Sequence, residues 1–281
     1  MANLSYVDKR RKNVIKNKKI LRAMYLISSI QIQKTKGKYE GTKIFFKKIE
    51  ESIIDIISAN NNIDYKYFKE SKNDKKIYIV LTSDNGLVGE YNQNILKFLQ
   101  KEDIAKSNSI LLIAGYIGKK LIKKNKYNID DKFDFFINSP SLLRASDMTE
   151  YIIDLYNKDS YDEVYVIYSS MVNTFIQKVK KIRLFPLDIG KFEEDTNEKL
   201  LVNMEYEPNI EEVLDSMFEL YLKGIMYDIL IDAYMSEQAS RLIAMNKATV
   251  NADKLISNLN LEYNKKRQEK ITREIAEISN H

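Results

Sequence analysis

Residues 241–281 read RLIAMNKATVNADKLISNLNLEYNKKRQEKITREIAEISNH, a stretch with neither proline nor glycine. Ala252, Ile256, Leu259 and Tyr263 follow one another by four, three and four, and Leu242 and Met245 lead into them. That spacing is the apolar seam of a coiled coil. Past Tyr263 the seam thins into Lys265, Lys266, Arg267, Gln268 and Lys270, and Ile271, Ile275 and Ile278 are expected to resume it. Working back, the last glycine is Gly224 and the last proline Pro208, so one helix is expected from Asn209 to the end of the sequence. Roughly 70 residues of helix make a rod of about 105–110 Å, far beyond the three turns of an ordinary globular helix. A compact core could not cover it, so something other than its own domain is expected around it.

The other end of the sequence supplies a partner. From Leu4 to about Ala59 there is no proline, and glycine occurs only at Gly37 and Gly41, where the helix could bend. Val7, Val14 and Leu21 recur one heptad apart with Met24 and Ile27 beside them, interrupted by Asn17 and Lys18. Ile49, Ile53, Ile56 and Ile57 continue a helical stripe, and Asn60, Asn61 and Asn62 close it in a polar loop. Pairing the two terminal helices antiparallel would bury both seams.

Between them the period changes. Ile77–Thr82 is a continuous β-favouring run of the kind buried on both faces of a sheet. Ser83-Asp84-Asn85-Gly86 reads as a turn, Tyr91–Leu99 as a helix, Ser109–Ala114 as a strand and Lys119–Lys124 as a basic helix. Asp147–Tyr156 reads as a helix, and Glu163–Tyr168 and Lys181–Phe185 as strands, before an acidic connection over Asp188–Glu205. Alternating strands and helices give a Rossmann-like α/β domain with a mostly parallel sheet. The expected architecture is therefore α/β with long helices: an N-terminal coiled-coil helix over 1–60, an inserted α/β domain over 75–190, and a C-terminal coiled-coil helix over 209–281.

Composition narrows the chemistry. The 281-residue chain has no cysteine, which removes disulfides, thiolate metal sites and thiol nucleophiles, and its one histidine is His281. No run of about 18 apolar residues and no apolar signal core occur, so a soluble, cytoplasmic chain is expected. The net charge is only +5, but cations crowd both ends: Lys9, Arg10, Arg11, Lys12, Lys16, Lys18, Lys19 and Arg22 at the start, Lys265 to Arg273 at the finish. Paired termini would merge these into one patch suited to nucleic acid, anionic lipid or an acidic protein loop. Interleaved Glu262, Glu269, Glu274 and Glu277 weigh against a phosphate-tracking surface.

Within the α/β domain, Ser83–Glu90 ends the first strand but lacks the three spaced glycines of a dinucleotide fingerprint, and Glu90 would repel phosphate. A structural turn is expected there. Asp130-Asp131, Glu193-Glu194-Asp195 and Glu211-Glu212 are paired acids in loops or at helix starts, and the helix macrodipole accounts for the last pair. No catalytic residue, cofactor or metal site is expected.

With these features in place, the chain resembles the gamma subunit of the F-type rotary ATP synthase. Ser236-Glu237 to Arg241, Ala244-Met245, Ala248-Thr249, Asn251-Ala252, Tyr263-Asn264, Arg267-Gln268 and Ile271-Thr272-x-Glu274-Ile275 stand at that family's spacings. Lys19-Ile20-Leu21-Arg22-Ala23-Met24 resembles its KITKAM segment, and Tyr206-Glu207-Pro208 and Ser83-Asp84-x-Gly86-Leu87 fit weaker motifs. The resemblance implies a shaft without chemistry of its own, standing in a ring of three alpha and three beta subunits whose beta subunits carry the catalytic sites. It implies an epsilon subunit and a membrane rotor ring at the foot, and a place on the inner face of the plasma membrane. Arg267 and Gln268 match the pair that hydrogen-bonds a beta-subunit catch loop, and Thr272 and Glu274 match further positions there. Arg22 and Met24 match the segment facing an acidic beta-subunit loop, and Arg241 joins the same partner-contacting set.

Departures from the family leave alternatives open. Asn85 stands where Arg is common, Glu90 where Gly is, and Tyr25-Leu26-Ile27-Ser28-Ser29-Ile30 replaces a stretch of small residues. One alternative is the shaft of an F-type-like ATPase repurposed to drive something other than a proton ring, as in a mycoplasma-type motor. Another, of a different class, is a nucleic-acid-binding coiled coil.

Overall fold

The computed structural model describes residues 4–59, 68, 75–102, 104, 108–125, 127–159, 161–187 and 207–279. In chain order they form α1 (Leu4–Ala59), β1 (Lys76–Leu81), α2 (Tyr91–Lys101), β2 (Ser109–Ala114) and α3 (Tyr116–Ile122). There follow α4 (Leu142–Asp159), β3 (Glu163–Met171), β4 (Gln177–Phe185) and α5 (Ile210–Ser279). α5 is 70 residues long, and α1, at 56, is helical through both Gly37 and Gly41. The expected loop at Asn60, Asn61 and Asn62, the acidic connection with Glu193-Glu194-Asp195, Tyr206 and His281 lie outside the described residues.

The chain divides into two compact units, and each long helix contributes to both. One unit combines residues 1–30 with 241–281, and the other is 31–240.

In the first unit the two helix segments run antiparallel. Arg11 donates to the Asn260 side chain at 3.4 Å, and Lys18 pairs with Asp253 at 2.5 Å, so ascending positions on α1 meet descending positions on α5. The α5 side of the seam is the expected one: Met245, Ala252 and Leu259 are buried, Ile256 and Tyr263 half-buried. Thr249 joins it, folding its hydroxyl back onto the Met245 carbonyl at 2.8 Å. Facing it, Leu4, Val7, Arg11, Val14, Lys18, Leu21, Tyr25 and Ser28 are the inward residues of α1, at alternating spacings of three and four. Lys18 does interrupt the apolar seam, whereas Asn17 is exposed and off it. The expectation that Ile271, Ile275 and Ile278 resume the seam is corrected: they are 45%, 62% and 77% exposed. The register explains this. Setting Arg11 beside Asn260 places Leu4, the first residue of α1, level with Arg267, so beyond it α5 has no described α1 residue opposite.

The second unit is built on a four-stranded sheet in the order β2-β1-β3-β4. β2, β1 and β3 are mutually parallel, while β4 returns antiparallel along β3 through a hairpin at 172–176. The last pair is thus a hairpin, and both its strands run further than the sequence pattern suggested. β1 is buried on both faces, as its unbroken apolar run requires. Ile77, Ile79 and Leu81 face a core shared with Ile53 of α1, Met148 and Ile152 of α4, and Phe218 and Leu230 of α5. Tyr78 and Val80 face Ile95 and Leu99 of α2 and Ile122 of α3. Each α-helix is amphipathic toward one of these layers, and burial rather than propensity holds them.

The remaining stretches of α1 and α5 also pack antiparallel here. The Phe46 ring lies where a side chain on Gly224 would be, 2.3 Å from an added Cβ, and the Tyr221 hydroxyl donates to Glu50 at 3.5 Å.

The turn after β1 is held by Asp84. Asp84 is buried, and one carboxylate oxygen accepts from the backbone N–H groups of Ile137 and Asn138 at 2.8 Å each, the other from Tyr116 at 3.3 Å. A buried carboxylate fixed by three amides ties the ends of β1 and β2 together. Thr82 completes the closure. Gly115, at φ 98°, and Gly118 have no room for a Cβ beside it, with clearances of 2.1 Å.

Candidate partner-binding face of the paired helices

All seven sequence-derived contact residues fall in the unit formed by 1–30 and 241–281. They do not form one cluster. By the register of the helix pair, Arg22 stands level with Thr249, eighteen residues before Arg267. At 1.5 Å per residue that is about 27 Å along the axis.

The first group is at the far end of α5. Arg267, Gln268, Thr272 and Glu274 are all exposed. Glu274 pairs with Lys270 at 3.5 Å, and Glu269 gathers Lys266 at 3.0 Å and Arg273 at 4.0 Å. The Lys266 hydrogen bond is the largest cause of the lowered Glu269 pKa. These i,i+3 and i,i+4 pairs neutralise one flank of the helix. The apolar side chains of Ile271, Ile275 and Ile278 occupy another, uncovered flank. This end therefore offers two kinds of surface at once: hydrogen-bonding groups at Arg267 and Gln268, and an aliphatic stripe.

The second group lies on α1. Arg22 is exposed, with its guanidinium 5.4 Å from the Tyr25 ring centroid, and Met24 is half-buried. Between Asp8 and Glu40, α1 carries no acidic residue at all. Arg22 therefore sits in a positive field that no neighbour on its own helix cancels. Arg241 differs from the other six: it is buried, 8% exposed, at the start of the α5 segment.

Sequence reasoning missed Arg11 as a seam residue. It pairs with Asp8 at 2.7 Å, reaches Asn260, and lays its guanidinium 4.6 Å from the Tyr263 ring centroid. The signal was present, since Arg11 continues the three-four alternation from Leu4 and Val7, but a charged residue masks the phase.

Among the described residues no group of three or more His, Asp or Glu side chains could hold a metal ion. No described helix is long and apolar enough to cross a membrane. What the unit offers is surface.

The family model described as ATP synthase matches residues 3–280. The ATP synthase gamma chain of Ruminiclostridium cellulolyticum is 37% identical over 283 residues, covering 98% of this chain and 96% of the relative. The chain belongs to the ATP synthase gamma chain family. The gamma chain of Acetivibrio thermocellus is 36% identical over 287 residues, covering 99% and 97%, respectively. The sodium-ion-specific gamma chain of Acetobacterium woodii is 31% identical over 291 residues, covering 98% and 96%. Among solved structures, the chain is similar in fold to one in the rotor of the Euglena gracilis mitochondrial ATP synthase. There the TM-score is 0.67 at 15% identity, covering 95% of this chain and 98% of that one. A chain in the central stalk of the Tetrahymena thermophila enzyme gives 0.60 at 22% identity, covering 82% and 99%.

As a gamma chain, this protein is a non-catalytic subunit of an ATP synthase complex. It is the central shaft, coupling rotation to ATP synthesis or hydrolysis.

Proposed function

We propose that the paired helices stand inside a ring of three alpha and three beta subunits, with the α5 end innermost. The observation that carries this is the uncovered length of α5. Ile271, Ile275 and Ile278 present an aliphatic stripe to water over about two turns, a burial deficit that an apolar collar would remove. Just before it, exposed Arg267 and Gln268 can hydrogen-bond a beta-subunit loop, with Thr272 and Glu274 alongside. On α1, Arg22 and Met24 meet an acidic beta-subunit loop. Such a contact must break every turn, and exposed ion pairs, worth about 0–1 kcal/mol, suit that better than buried ones. Arg241, being buried, serves the same face by holding the helix in place.

In this reading the second unit is the foot. It carries an epsilon subunit and a membrane rotor ring, which puts the complex on the inner face of the membrane. Purification of the native complex through a tag on this chain tests the proposal. Three alpha and three beta subunits per shaft, with epsilon and ring subunits, are expected. Recovery of alpha and beta subunits with other foot partners would indicate a repurposed motor. Recovery of nucleic acid without ATPase subunits would overturn the ring.

A further inference from the structure

Within the second unit the two long helices are held unequally. The Phe46–Gly224 and Glu50–Tyr221 contacts set residues 36–45 of α1 level with 226–235 of α5. On α5, Met226, Tyr227, Ile229, Leu230, Ile231 and Ala233 are buried in the core that also takes Ile77 and Leu81 of β1. On α1, none of Lys36, Gly37, Gly41, Thr42, Lys43, Ile44 and Phe45 is buried. Gly37 and Gly41 stand four apart in that stretch, and a Cβ on either would meet no atom within 4 Å. No close approach requires them, and each favours local opening of the helix about fivefold relative to alanine.

Directional bonds add to the grip on α5. Asp232 accepts from the Met171 backbone N–H at 2.8 Å, and the Tyr91 hydroxyl donates to the Ala233 carbonyl at 3.3 Å. The buried hydroxyls of Ser236 and Ser169 share a hydrogen bond at 2.9 Å, and Ser240 donates to the Gln177 side chain at 3.4 Å. The partners come from α2, β3 and the first residue of β4. Apolar packing has no preferred direction and lets a helix roll, whereas hydrogen bonds to three separate elements do not. Resting on the shaft reading above, we infer that twist passes between the α/β domain and the paired helices through α5. Ser169, Ser236, Tyr91 and Asp232 are the pins of that joint. Residues 36–45 of α1 are the compliant strand, which follows rather than drives. Both helices continue into the other unit, and of two strands in parallel the stiffer carries the larger share of a twist.

Hydrogen exchange on the full chain tests the unequal grip. Amides of 36–45 are expected to exchange at least about tenfold faster than those of 226–235. Gly37→Ala with Gly41→Ala is expected to slow the α1 stretch roughly twentyfold. Equal protection of the two stretches would overturn the inference. Twist is read in the chain assembled with its own alpha and beta subunits, the ring fixed and stalled with a non-hydrolysable nucleotide, from the angular spread of a bead on the α/β domain. Ser169→Ala with Ser236→Ala removes both partners of the buried bond, so neither is left unpaired, and the spread is expected to widen about 1.5-fold. The double glycine variant is expected to leave the spread unchanged. An unchanged spread in the serine variant, or a narrowed one in the glycine variant, would overturn the inference. If the serine variant does not assemble, Tyr91→Phe removes one pin and keeps the ring. A smaller widening then supports the joint, and none overturns it. An unaltered chain that binds no alpha and beta subunits would instead overturn the shaft reading, with the exchange contrast still standing.

Discussion

Arg11 of α1 lies across the ring of Tyr263 of α5, its guanidinium carbon 4.6 Å from the ring centroid, at a position where the heptad phase calls for an apolar residue. The same side chain holds Asp8 of its own helix at 2.7 Å and reaches Asn260, so it joins the two helices by stacking and one long hydrogen bond. The seam is thus least apolar on α1. The polar residue fixes which turn of α5 it meets, as polar groups at coiled-coil core positions do.

Replacing Arg11 separates these roles. Arg11→Ala removes the stacking and the aliphatic stem together and is expected to destabilise the helix pair by about 1–2 kcal/mol. Arg11→Leu fills the seam with an apolar side chain and is expected to be neutral or stabilising. Thermal unfolding followed by circular dichroism should move in opposite directions for the two variants, or at least lower the midpoint for alanine alone. Equal losses would mean that the ion pair with Asp8 dominates.

Gly224 supplies a second test. An added Cβ would sit 2.3 Å from the Phe46 ring, so the helices could not keep their spacing. Helix propensity alone favours Gly224→Ala by roughly 1 kcal/mol. Overpacking costs about 1–3 kcal/mol, and we expect it to win. Urea unfolding should show a lower midpoint for Gly224→Ala, with partial recovery when Phe46→Leu makes room. A more stable single variant would show that the ring swings aside at no cost.

Alkaline pH should unfold the α/β unit earlier than its acids and amides alone would suggest. Burial, followed by the Asp130 carboxylate at 2.6 Å, pushes the Tyr151 hydroxyl up to about 12. Burial likewise raises Tyr168 and Tyr221, with Asp232 and Glu50 respectively adding to the shift. The Glu102 hydrogen bond raises Lys181. In each case the folded state holds its proton longer than the unfolded chain. The stabilisation is complete below about pH 10, where unfolded tyrosine begins to ionise, and is lost as pH rises through the folded values. The unfolding midpoint should fall between pH 10 and 12, and Tyr151→Phe should flatten that fall. An unchanged slope would mean that the hydroxyl ionises alike in both states.

The two long helices and the strands were legible because their signals are backbone-scale: absence of breakers, a seven-residue apolar repeat on α5, and unbroken apolar runs at Ile77–Leu81 and Ile110–Ala114. The phase of α1 was harder, since Arg11 and Lys18 occupy seam positions and a hydrophobicity pattern counts them as surface. The β3–β4 hairpin was hidden for a similar reason. Its loop carries exposed Val172, Phe175 and Ile176, and β4 alternates lysines with half-buried residues, so the turn reads as more apolar than the strand. The proposed contact residues are a different case. Arg267 and Gln268 look like any solvated helix position, because in the chain alone that is what they are. Only the family spacing singles them out.

The end of α5 gives the test that separates folding from assembly. Ile271, Ile275 and Ile278 are 45%, 62% and 77% exposed, so replacing all three with serine removes little buried area from the chain itself. Surface substitutions of this kind usually stay within about 0.5 kcal/mol each, and serine's lower helix propensity adds a similar amount. The purified variant should therefore keep its helix content and nearly its unfolding midpoint. Inside an apolar collar the balance changes. Each buried aliphatic side chain is worth about 1.5–3 kcal/mol, and losing three of them should lower the yield of assembled, ATP-hydrolysing complex at least tenfold. Arg267→Ala with Gln268→Ala should weaken the same complex by a route that depends on salt, whereas the serine variant's deficit should not respond to it. A serine variant that assembles and turns over like the unaltered chain would mean that this stripe remains in water in the working complex.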